Sequence, residues 1–116
     1  MPRFLLLARD DNTAWAGISP ADAEAVIGRY IAWGQKLKSA GHLVSSDKLR
    51  DQEGRVLARK DKRLVATDGP YAEVKEIVGG FWILEAADYA AAEKLLTDCP
   101  HLDFGTLELR QIEDLG

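Results

Sequence analysis

Thr67-Asp68-Gly69-Pro70-Tyr71-Ala72-Glu73-Val74-Lys75-Glu76-Ile77-Val78-Gly79-Gly80-Phe81-Trp82-Ile83-Leu84 joins a turn, a short charged segment and the most apolar strand-like run of the chain. Asp68 can accept backbone hydrogen bonds a few residues on, as Asp does in turns. Gly69 permits positive φ, and Pro70 sets φ near the value of a first helical turn. The stretch therefore reads as strand, tight turn, one helical turn, strand. Within the last strand, Gly79-Gly80 predicts a bulge or a close backbone approach. Beyond it Phe81 and Ile83 point one way, Trp82 and Leu84 the other. Both faces are apolar, so both need cover.

Working outward, Arg3 to Ala8 is a continuous apolar run of strand length. Trp15 is placed to pack over one end of the sheet. Ser19-Pro20-Ala21-Asp22 combines an N-cap, a proline at the first helical position and an acid at the positive end of the dipole. Ala23, Val26, Ile27, Tyr30, Ile31, Gly34 and Leu37 then fall on one helical stripe that runs to about Ala40, with Gly41 as C-cap. His42 to Ser46 reads as a strand. Arg55–Arg59 and Arg63–Thr67, joined by Lys60-Asp61-Lys62, read as a hairpin. Asp88 caps a second helix with the stripe Tyr89, Ala92, Leu95, Leu96 and Cys99, ended by Pro100. Gly105 to Ile112 is the last strand.

The order strand-helix-strand, hairpin, strand-helix-strand matches an α+β, ferredoxin-like antiparallel sheet carrying an inserted β-hairpin. Two main helices cover one face of such a sheet. The other face, apolar here, predicts a homodimer that pairs sheet to sheet.

At 116 residues the chain is expected to be one domain around a single core. Apolar content of 47% and charged content of 29% are ordinary for a soluble globular protein. No apolar run approaches membrane-spanning length, and Met1-Pro2-Arg3-Phe4 lacks a cleavage-site pattern. Cys99 is the one cysteine, which excludes an intrachain disulfide. These features predict a cytoplasmic location. Net charge is −4, yet Lys48 to Arg63 holds seven basic against three acidic side chains. That segment reads either as an anion-binding patch or as a solvated hairpin whose charges blunt an exposed edge. The acidic chain and the lack of interleaved aromatics favour the hairpin, so no nucleic-acid partner is expected.

Three residues, Asp68, His42 and Tyr30, are candidates for chemistry. Asp68 is either a carboxylate at a cleft mouth, available as a general acid or base, or an ordinary turn residue. His42 stands at a strand start and is a candidate assistant, or a satisfied surface residue. Tyr30 lies on the first helical stripe, and its hydroxyl can transfer a proton only if its pKa is lowered. Glu73 and Lys75 either point into the same cleft as Asp68 or are solvated. Tyr71, Trp33, Trp82 and Phe81 either line an apolar pocket or pack in the core. Cys99 reads as a small buried hydrophobe and His101 as an exposed loop residue. No His, Cys and Asp grouping has metal-ligand spacing, so neither a metal nor another cofactor is expected.

Thr67-Asp68-Gly69-Pro70-Tyr71-Ala72-Glu73, Lys75-Glu76 and Gly79-Gly80 together resemble the signature of the YCII-related family, in its DGPF-domain branch. That branch usually has Phe where this chain has Tyr71. The likeness extends through Leu5-Leu6-Leu7, Ser19-Pro20, Cys99-Pro100 and Gly105-Thr106-Leu107-Glu108-Leu109-Arg110, nearly the whole chain. It implies a ferredoxin-like fold paired into a dimer of facing sheets, without a settled activity. Many members carry a His in the first helix thought to pair with an Asp; Tyr30 occupies that place here. DGPF relatives often have a His before the glycine equivalent to Gly105, where this chain has Phe104. The resemblance thus leaves Tyr30 with Asp68 as a substitute dyad. It raises the functional reading of Glu73 and Lys75 as a pair for a polar substrate head. Two functions follow as expectations. One is a dimer that binds a small, partly apolar molecule near Asp68, with cofactor-free acid/base chemistry. The other is a non-catalytic sensing or accessory module, a role suited to the alternative sigma factor genes that often neighbour DGPF genes.

Overall fold

The computed structural model describes residues 1–11, 15–51, 53–69 and 76–116. Its elements are β1 (Arg3–Asp10), α1 (Pro20–Ser39), β2 (Leu43–Lys48), β3 (Arg55–Lys60), β4 (Arg63–Asp68), β5 (Ile77–Glu85), α2 (Tyr89–Leu96), a short 3₁₀ segment (Pro100–Asp103) and β6 (Thr106–Gln111). The helical turn expected between β4 and β5 falls at 70–75, outside the described residues.

Four strands form an antiparallel sheet in the order β2-β5-β1-β6. With α1 and α2 as the crossovers, this is the ferredoxin-like arrangement. Side-chain alternation sorts the sheet into two faces. Phe4, Leu6 and Ala8 of β1 and Trp82 and Leu84 of β5 are buried under the helices. Leu5, Leu7, Phe81 and Ile83, paired across the same two strands, are half-buried on the other face. The bulge expected at the glycine pair is present. Ala8 pairs with Gly80 and Arg9 with Val78, which leaves Gly79 as the extra residue.

Helix α1 begins as its sequence demands: Ser19 Oγ accepts from the Asp22 amide at 3.1 Å. It ends at Ala40, with Gly41 at φ +81° where an L side chain would be strained. Asp88 caps α2 by accepting from the Ala91 amide at 2.8 Å. Of the α1 stripe expected from periodicity, Leu37 is buried, whereas Ile27 and Ile31 are exposed. Trp33 takes the core position instead. Its ring meets Trp82 edge-on at 5.4 Å and its Nε1 donates to Asp98 Oδ1 at 3.1 Å. Asp98 also accepts from Lys36, and that bond, the largest cause, holds its carboxyl below the usual range.

Pro100 does not simply end α2. It opens the 3₁₀ segment, which folds His101 into the protein and corrects the expectation of an exposed loop histidine. Gly105 follows where no other residue fits: an added Cβ would stand 2.0 Å from the Arg9 carbonyl oxygen. Among the described residues, strands β3 and β4 pair only with each other, as a two-stranded sheet with Leu57 and Leu64 exposed.

Candidate functional site

Helix α1 packs closely on the sheet through Trp33 and Leu37 but stands off from the β2–β5 edge. The gap is a cavity of about 730 Å³, within the range of small-molecule sites. Ile27 and Ile31 line it from the helix, together with Gly34, and Ala8, Gly80 and Trp82 from the sheet. The two isoleucines are therefore the wall of a cavity, which explains their exposure on an otherwise core-facing stripe.

One end of the cavity is polar and buried. His101 is 3% exposed and Asp10 7%. Tyr30 Oη and His101 Nδ1 are 2.9 Å apart, and His101 Nε2 is 2.9 Å from the Arg9 carbonyl oxygen. Tyr30, His101 and Asp10 all line the cavity. The tyrosine ring is held between aromatic neighbours, stacked with Trp82 at 6.4 Å, Phe104 at 6.4 Å and Trp15 at 6.5 Å. Trp15, expected over one end of the sheet, stacks with Tyr30 and with Phe104, the latter at 5.5 Å. Burial, the largest cause, pushes the Tyr30 hydroxyl well above its ordinary range, with Cys99 and Asp10 adding to the rise. Tyr30 is therefore a neutral hydroxyl at physiological pH.

At the rim the charges are mixed. Lys48 Nζ donates to Asp51 Oδ1 and to the Leu49 carbonyl, each at 2.7 Å. Asp47 and Lys38 also line the opening.

Asp68 ends β4 with its side chain 91% exposed and ion-paired to Arg55 at 2.6 Å, and it does not line the cavity. His42 is half-buried beside the sheet, its Nδ1 2.9 Å from the Glu85 carbonyl oxygen, also away from the cavity. Trp82 lines the cavity; Trp33 packs behind it in the core. Tyr71, Glu73 and Lys75 lie outside the described residues. Of the three acid/base candidates, Tyr30 is thus the one brought to the cavity. His101 and Asp10 join it there, although the sequence did not single them out. The signal for His101 was its place directly after Pro100, since a proline opens a tight helical segment as readily as it ends a helix.

Among the described residues, no group of three or more His, Cys, Asp or Glu side chains could hold a metal ion. None of the described helices is long and apolar enough to cross a membrane.

The family model of the YCII-related domain matches residues 2–115. The chain belongs to the YCII-related family. A solved structure similar to this YCII-related chain is that of 5-chloro-2-hydroxyhydroquinone dehydrochlorinase from Burkholderia phenoliruptrix AC1100, in complex with 2,5-dihydroxybenzoquinone. It is 16% identical, covers 96% of this chain and 93% of that one, and has a TM-score of 0.47. No curated protein matches the chain.

Proposed function

We propose that this YCII-related protein binds a small, partly apolar molecule between α1 and the sheet, as a homodimer, and performs proton-transfer chemistry there without a cofactor. The observation that carries the reading is a cavity of about 730 Å³ that has apolar walls and a buried polar end at Tyr30 and His101. Hydrophobic walls with a few convergent polar groups are the usual make-up of a ligand site. Tyr30 is the group that meets the ligand, and His101 stands hydrogen-bonded behind it. Homodimerisation is supported by the apolar sheet face of Leu5, Leu7, Phe81 and Ile83, which both helices leave open.

A non-catalytic binding module is the second reading. The raised pKa of Tyr30 favours it, because a hydroxyl so hard to ionise is a poor acid/base by itself.

The test is a thermal-shift screen of the purified protein against a metabolite library, with Gly34→Trp alongside. Gly34 lines the cavity and an added Cβ there meets nothing within 4 Å, so a large side chain at this position is expected to fill part of the cavity. A ligand that binds only the folded state raises the melting temperature by mass action. A hit that stabilises the wild type and not a folded Gly34→Trp supports the site. Hits unaffected by Gly34→Trp, or none from a broad library, would sink it. Turnover of a hit, lost in Tyr30→Phe with binding retained, separates the enzyme from the module.

A further inference from the structure

The hydrogen bonds behind Tyr30 have a direction. His101 Nε2 faces the Arg9 carbonyl oxygen at 2.9 Å, and a carbonyl oxygen can only accept. Nε2 therefore carries the hydrogen. In the neutral imidazole this leaves Nδ1 as an acceptor, and its partner at 2.9 Å is the Tyr30 hydroxyl. So Tyr30 donates its one hydrogen backwards, to His101. A phenolic oxygen that donates still has lone pairs to accept with, and Tyr30 lines the cavity.

The arrangement is fixed from both sides. Gly105 lets the chain pass within contact of the Arg9 carbonyl, and Trp82 and Phe104 stack on the tyrosine ring. The Asp10 carboxylate at the same end is again an acceptor. Among the described residues, the cationic donors on the cavity wall stand elsewhere. Lys48 is engaged with Asp51 and Leu49, and Lys38 lies two helical turns beyond Tyr30, about 12 Å along the axis.

We propose that the buried end of the cavity selects a ligand by its hydrogen-bond donor: an apolar ring or chain carrying a neutral O–H or N–H that donates to the Tyr30 oxygen. Ethers, ketones and carboxylates of the same shape place an acceptor against an acceptor and are rejected. A ligand O–H so held can pass its proton to Tyr30 as Tyr30 passes its own to His101 Nδ1. The ligand O–H bond breaks, Tyr30 gains one O–H bond as it loses the other, and an N–H bond forms at the histidine. The relay ends on the imidazolium without a tyrosinate, and the ligand is left as the oxyanion. His101 thus serves as the base and Tyr30 as the bridge.

This inference rests on the binding reading above, and the experiment keeps the two apart. Tryptophan-fluorescence titration is run with 2-naphthol, 2-methoxynaphthalene and 2-naphthoate, which share a ring and differ in the polar group. The expected result is 2-naphthol binding about tenfold or more tighter than the other two. In Tyr30→Phe/His101→Leu, which removes the phenol oxygen and also the imidazole that would otherwise substitute as acceptor, the preference falls to within about twofold. Equal binding of the naphthol and its ether overturns the proposal while leaving the cavity reading intact. So does tightest binding of the naphthoate, or a preference that survives the double variant in folded protein. Failure of all three to bind overturns both.

Discussion

Cys99 sits in the main core at 3% exposure, and burial, the largest cause, pushes its thiol up to about 11. The unfolded chain releases the same proton near the ordinary value of 9.0. Between those two values the unfolded state holds fewer protons than the folded one, so stability falls as pH rises. The contribution is fully present below about pH 9 and lost by about pH 11. Its size is on the order of 2 kcal/mol. Tyr30, raised for the same reason, adds a loss of the same sign at still higher pH. Urea unfolding at several pH values from about 8 to about 11 should show the wild type losing stability more steeply than Cys99→Ala. Superimposable profiles would mean that the thiol is not buried in solution. At this scale the sequence was partly legible. Helical spacing put Cys99 on a core stripe, and the family likeness marked Tyr30. His101 was not legible, because its burial comes from a 3₁₀ segment that contacts α1 and β1, both remote in sequence. Asp68 reads as a site residue or a turn residue from composition alone, and only its pairing with Arg55 and its exposure show which surroundings it has.

Element starts and stops follow local chemistry closely: Ser19, Asp88 and Gly41 act where their side chains, or the lack of one, make them act. The bulge at Gly79 was likewise readable from the glycine pair. Which face of α1 meets the core was less so. Trp33 and Leu37 anchor one side while Ile27 and Ile31 border empty space, and a periodic apolar stripe looks the same in both cases. The β3–β4 turn shows a compromise of its own. Asp61 and Lys62 both have positive φ, 49° and 66°, as a two-residue type I′ turn requires. Asp tolerates this conformation, because its short polar side chain can bond locally; the long lysine side chain cannot offset the strain in that way. Lys62→Gly creates the Asp-Gly pair that such turns prefer. It is expected to stabilise the hairpin by about 1 kcal/mol. The measurement is amide exchange at the hairpin, which should slow severalfold for β3 and β4 and stay unchanged in β1 and β5. Faster or unaltered exchange in β3 and β4 would show that the turn does not limit the hairpin's stability.

The whole molecule is a flat slab, 49 × 46 × 18 Å, with a radius of gyration of 16.3 Å. A compact chain of this length has about 13 Å. The excess fits a hairpin that extends outward as a separate two-stranded sheet and exposes Leu57 and Leu64. A lone two-stranded hairpin is marginal in water, so these leucines call for a surface to rest on. The open sheet face calls for one too. Four strands at ~4.8 Å spacing and ~25 Å length present roughly 500 Å², less than the roughly 800 Å² per partner of a stable interface. The hairpin is the element able to supply the difference. Its charge favours contact with a second copy of an acidic chain: β3, β4 and their turn carry five basic and two acidic side chains, against a net charge of −4 overall. Sedimentation equilibrium is therefore expected to show a dimer for the wild type. Phe81→Asp, in the middle of the apolar face, should give a folded monomer, because a carboxylate there would be buried without a partner. Leu57→Ser/Leu64→Ser should loosen the dimer by about tenfold to a hundredfold without abolishing it, since it removes only peripheral apolar contact. A wild type that stays monomeric at about 100 µM would refute the facing-sheet pairing. A Phe81→Asp dimer as tight as the wild type would move the interface elsewhere, with the hairpin variant then reporting whether the arm alone holds it.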